Sequence, residues 1–160
     1  MFENKTIQEI DNLLKSSIEN QKKELDEISA QIKLIENRCQ ILALPFSITF
    51  SCFGEEKEEE NPPYKLIIKE TCLSWDLFKE PNGKRKFRFI YKIFENLYEE
   101  DEKISSQLIY IRPTAELPIN LRLQLKPFLV GFYQLFAEKA LEWNYIKTLE
   151  NNDEFNILEK

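Results

Sequence analysis

The feature that most constrains the fold is a run of apolar residues at alternating three- and four-residue steps: Leu25, Ile28, Ile32, Ile35, Cys39 and Leu42. That spacing is the a/d seam of a helix that buries one stripe. Upstream the pattern thins, with Ile10, Leu14 and Ile18 followed by polar Gln21. Thr6-Ile7-Gln8-Glu9 has the form of a capping box, in which the Thr6 hydroxyl accepts a backbone N–H and Glu9 reaches back to the cap. A single helix is therefore expected over residues 7–43, ended by Pro45. At 1.5 Å per residue it spans roughly 55 Å, more than the diameter of a compact domain of this size. Either its first half projects and packs on another chain, or it lies along the domain and overhangs.

Beyond Pro45 the period changes to two. Phe46, Ile48, Phe50 and Cys52 share one face, and Ser47, Thr49 and Ser51 the other, as in a half-buried antiparallel strand. Residues 54–63 read as an acidic, solvated loop. Residues 64–69 and 72–78 read as two further strands, the latter with Leu73, Trp75 and Leu77 on one face. Glu80-Pro81-Asn82-Gly83 predicts a tight hairpin turn, because Asn-Gly supplies positive φ. Residues 86–94 return from it, residues 95–103 form a second acidic connection, and residues 104–111 a last strand. In residues 119–125 the alternation favours a strand and the residue types favour helix; a short helix is expected, with Pro127 at the first turn of the final helix. Phe128, Phe132, Leu135, Phe136, Ala140, Trp143 and Ile146 give that helix a broad apolar face up to about residue 150, followed by a polar tail. The chain thus reads as one α+β domain over residues 1–160. A long N-terminal helix precedes an antiparallel meander of four to five strands over residues 45–111. A C-terminal helical segment over residues 116–150 packs with the first helix on one sheet face.

Composition narrows the chemistry. The 160 residues contain no histidine, which removes imidazole acid–base work, Ser-His and Cys-His nucleophile pairs and His-ligated zinc. Three glycines are too few for a Gly-rich phosphate cradle. The net charge of −6 disfavours long-range attraction of nucleic acid. Cys39, Cys52 and Cys72 read as buried apolar residues in a reducing compartment. No signal-peptide core and no bilayer-spanning run are visible, so a cytoplasmic protein is expected, or one of the host cytoplasm if the source is viral or an effector. The Lys-, Glu-, Ile- and Asn-rich character points to a microbial or viral source. Acid-x-Lys steps at Glu55-Glu56-Lys57 and Asp101-Glu102-Lys103 lie in charge-rich loops without a placed acid partner. No catalytic residue, metal ligand or cofactor is assigned.

Two surfaces remain as candidates. Lys84, Arg85, Lys86, Arg88 and Lys92 lie in one acid-free segment. On a strand, Lys86, Arg88, Ile90 and Lys92 share a face opposite Phe87, Phe89, Tyr91 and Ile93. That basic face suits phosphate or an acidic partner, or else it is an edge balanced by the protein's own acids. Trp75, across the hairpin, is an interface anchor if exposed and core if turned inward. The second surface is the helix, through which a protein partner or self-association is expected. The resulting expectation is a non-enzymatic protein-interaction or inhibitory module, such as a phage protein that binds a host component. The alternatives are a binder of a phosphorylated ligand or nucleic acid through residues 84–92, and a carboxylate- or Ser/Lys-dependent enzyme.

Overall fold

A computed structural model describes residues 3–58 and 66–158, with the backbone alone at residues 58 and 151–158. Helix α1 (Ile7–Leu42) begins at the expected capping box: the Glu9 N–H donates to Thr6 Oγ1 at 3.2 Å, and the Thr6 N–H to Glu9 Oε2 at 2.8 Å. Ala43, in the left-handed region, ends the helix and returns its N–H to the Cys39 carbonyl. Strands β1 (Ile48–Glu58), β2 (Leu66–Lys79), β3 (Arg85–Glu99) and β4 (Glu102–Pro113) form an antiparallel meander in chain order. A 3₁₀ turn (Thr114–Glu116) leads to α2 (Ile119–Leu158). Both helices cover one sheet face. Ile28, Ile32, Ile35 and Cys39 of α1 and Leu125, Leu129, Phe132 and Phe136 of α2 share a core with Leu73, Trp75, Phe89 and Tyr91.

The α+β architecture is as expected, with four strands among the described residues, the lower of the two numbers expected. Residues 70–71, read as a break, are paired on both sides within one continuous strand, opposite residues 53–54 of β1 and 93–94 of β3. Glu70 is accommodated because Ser51 and Asn96 hydrogen-bond its carboxylate on the face away from the helices. The segment 54–58, read as loop, continues β1; residues 59–63 of that reading and Tyr64 lie outside the described residues. Most of the second acidic connection is strand too, closed by Glu100 and Asp101 at φ of 50° and 64°, the positive pair a two-residue hairpin needs. The first hairpin turns as expected, with Gly83 at φ 84° and the Glu80 N–H bonded to the Lys84 carbonyl.

The last helix differs from its reading in two ways. Residues 119–125 are helical and continuous with it, so Pro127 sits inside rather than in the first turn. Its missing N–H leaves the Leu123 carbonyl without the usual helical donor. The helix also runs on through Leu158 instead of ending near residue 150. At Gly131 it approaches β1 so closely that a Cβ would lie 2.4 Å from Phe50 Cζ.

Candidate functional site

The basic strand has the face pattern expected of it. Register places Arg88 opposite Asp76, Ile90 opposite Ser74 and Lys92 opposite Cys72, all on the face away from the helices. Three of its five cations, however, already have partners within the fold. Arg88 Nε donates to Glu36 Oε1 at 3.0 Å, and Nη1 to Glu80 Oε1 at 3.0 Å. Burial works against the guanidinium charge, but the bonds to Glu80 and Glu36 outweigh it and hold Arg88 ionised more firmly than usual. Lys92 Nζ pairs with Asp76 Oδ2, passing over the buried Ser74–Ile90 pair that register places between them. Burial pushes the Asp76 carboxyl up, yet donors from Lys92, Ser47 and the Leu77 N–H bring it below the ordinary carboxylate range. Lys86 Nζ stands 3.9 Å from Glu80 Oε1. Lys84 and Arg85 are exposed at the hairpin tip. Trp75 is 1% exposed, and its indole N–H donates to the Leu44 carbonyl at 3.0 Å, so it holds the α1–β1 connection against the sheet and offers no surface.

Of the expected cluster, Arg88 clamps the β2–β3 hairpin to α1 and Lys92 pairs across the hairpin, while Lys84 and Arg85 stand apart at its tip. Sequence reasoning did not single out its acidic half, Glu36, Glu80 and Asp76. Asp76 faces Arg88 across a hairpin that the Asn82-Gly83 turn already implied, so that partner was within reach of the sequence. Glu36 lies 52 residues from Arg88 and meets it only through tertiary packing.

The groove between β1 and α2, about 470 Å³, is lined by Phe46, Ile48, Leu135, Trp143 and Ile146, with Lys139 and Glu142 paired at 3.7 Å. It holds no pair of acids. Among the described residues, the two carboxyls whose titration shifts, Glu70 and Asp76, both shift downward and are poor proton donors near neutrality. Among the described residues no cluster of three or more metal-ligating side chains occurs, and no helix is long and apolar enough to cross a membrane.

The remaining surface is α1 itself. Its seam is buried at Ile28, Ile32, Ile35 and Cys39, half-buried at Leu25, and then leaves the core. Every side chain over residues 11–23 is exposed. Ile7, Leu14 and Ile18 occupy the same seam positions at 88%, 56% and 62% exposure. The transition falls where Glu24 meets Lys126 and Ser29 meets Arg122, the contacts at which α1 crosses the start of α2. Upstream of that crossing the helix is an arm of roughly 25 Å at 1.5 Å per residue. No protein-family model, curated protein or solved structure matches the chain.

Proposed function

We propose that the chain is a protein-interaction module, an adaptor or inhibitor, whose docking element is the exposed arm of α1. One observation carries this reading: the apolar seam that packs the core continues in phase onto the arm, where nothing among the described residues covers it. An apolar stripe at heptad spacing gains free energy by burial against another helix, and an amphipathic helix is a common recognition element. The exposed row also follows one line along the helix, unlike the singly scattered apolar residues of ordinary surfaces. The clamp supports the reading from the other side. It holds α1 to the sheet through Arg88, so the arm is presented from a fixed base. The same clamp counts against an anionic ligand at Arg88 and Lys92, because an incoming phosphate would have to displace Glu36, Glu80 and Asp76.

The test is retention of a partner, either a differently tagged copy or another chain, by wild type and by Leu14→Glu/Ile18→Glu. Loss of a stoichiometric partner in the variant, with melting temperature unchanged, is the expected result. Retention that ignores these substitutions but disappears in Lys84→Glu/Arg85→Glu would transfer the function to the hairpin.

A further inference from the structure

The arm's seam is asymmetric along its length, and that asymmetry selects an occupant. Resting on the interaction-module reading, we infer that the arm pairs with the arm of a second copy of this chain, antiparallel, with the two-fold axis level with Ser16.

What α1 leaves uncovered is the upstream part of its own seam. Continued backward in phase from Ile28, the seam positions are Leu25, Gln21, Ile18, Leu14, Asp11 and Ile7. The helix starts at Ile7 and the core takes over at Ile28, so the seam left open to a partner ends at Leu25, which is half-buried beside the α2 crossing. In an antiparallel pair each a position faces a d position of the other helix. Full overlap of two free seams then sets Ile7 against Leu25, Leu14 against Ile18 and Asp11 against Gln21, each twice. Apolar residues meet only apolar residues. The two polar positions meet each other, and a Gln amide N–H can donate to a carboxylate. The overlap that uses the whole arm is thus the one in which the polar residues match. A polar residue at a seam position lowers stability but fixes register and orientation.

A parallel pair fares worse. It stacks Asp11 on Asp11, two like charges in one layer, and leaves Gln21 facing Gln21. An isologous two-fold contact also closes on itself and stops at a dimer. Two contacts oppose the arrangement: Lys15 meets Lys15 beside the axis, although each is tied to Asp11 of its own helix at 3.2 Å, and Ile10 meets Glu24, which is tied to Lys126. Added salt screens that repulsion, so association should tighten with salt, and Lys15→Gln should tighten it at low salt.

Cysteine crosslinking with light scattering decides the matter on the full chain. Burial pushes the thiols of Cys39, Cys52 and Cys72 up to about 12, so the native cysteines stay protonated and give little background. Ser17 flanks the seam and meets Ser17 of the second copy only in the antiparallel register. Gln21 meets itself only in a parallel pair, and in the antiparallel one the two lie roughly 15 Å apart along the axis. The expected result is a mass rising with concentration from 19.2 kDa toward twice that value. Ser17→Cys should crosslink at least about tenfold faster than Gln21→Cys, because Cα atoms beyond ~7 Å cannot be bridged. Leu14→Glu should restore the monomer. A constant 19.2 kDa up to high micromolar concentration, or faster crosslinking of Gln21→Cys, overturns the inference. If the chain is monomeric yet still retains another protein through Leu14 and Ile18, self-pairing fails and the interaction-module reading stands.

Discussion

Replacing Arg88 by Met keeps most of the apolar stem and removes the charge that Glu36 and Glu80 share. The Arg88, Glu36 and Glu80 side chains are 14%, 12% and 18% exposed, and both bonds are 3.0 Å long. Fully exposed ion pairs contribute about 0–1 kcal/mol. Removing one partner of a buried pair costs about 3–5 kcal/mol, because the other charge is left without compensation. This cluster lies nearer the buried limit, with some water access, which places the loss at about 2–3 kcal/mol. For a chain of this length each kcal/mol lowers the melting temperature by about 3 °C, so the variant should melt roughly 6–9 °C lower. Lys126→Met is an internal control. The Lys126–Glu24 pair has the same 3.0 Å distance but is 50% and 46% exposed, and its loss should stay below about 1 kcal/mol. Urea denaturation of both variants, with Glu36→Gln and Glu80→Gln to close double-mutant cycles, measures the difference. If Arg88→Met costs no more than Lys126→Met, burial is not what sets the strength of the clamp. Arg88 would then be free for a ligand.

Three further outcomes are expected. Gly131→Ala should destabilise by about 1–2 kcal/mol in urea despite the better helix propensity of Ala, because its methyl would meet the Phe50 ring and overpack the α2–β1 contact. A stabilised variant would refute that contact. The folded Asp76 carboxyl lies below its ordinary value, so its contribution is present above the unfolded pKa and is lost as pH falls through the folded one. Asp76→Asn should therefore flatten the acid limb of the stability–pH curve below about pH 4, and an unchanged limb would sink the Lys92–Asp76 assignment. At protein concentrations where the wild type is monomeric, Leu14→Glu should leave stability within about 0.5 kcal/mol of wild type, whereas Ile32→Ala should cost about 2–5 kcal/mol. A Leu14→Glu variant that melts early would mean the arm is packed after all.

What the sequence made legible was local. The capping box fixed where α1 starts, and the Asn82-Gly83 turn fixed the hairpin. The alternation of residues 86–93 assigned both faces of β3. The errors came where tertiary partners override local chemistry. Glu70 breaks an apolar pattern, yet its strand continues because Ser51 and Asn96 satisfy it from neighbouring strands. Residues 54–58 look like a charged loop, but Lys57 approaches Glu95 from across the sheet at 3.9 Å, and the ladder runs on. Pro127 reads as a helix start because a mid-helix proline is costly; here the surrounding apolar face, with Leu125 and Leu129 buried on either side, outweighs one lost hydrogen bond. For the candidate site, the seam and the cationic strand were both visible. Which of them remained available was not, since Glu36 reaches Arg88 only after α1 docks.

On the proposed function the arm meets a partner, while Arg88 and Lys92 are engaged within the fold. Amide hydrogen exchange, compared between the chain in dilute solution and in its complex or concentrated form, tests this directly. A helical arm without tertiary contacts is marginal in water, so the amides of residues 8–23 should exchange nearly as freely as an isolated peptide when the chain is alone. They should become strongly protected on association, with residues 84–92 unchanged. Protection gained at residues 84–92, with none at the arm, would contradict it.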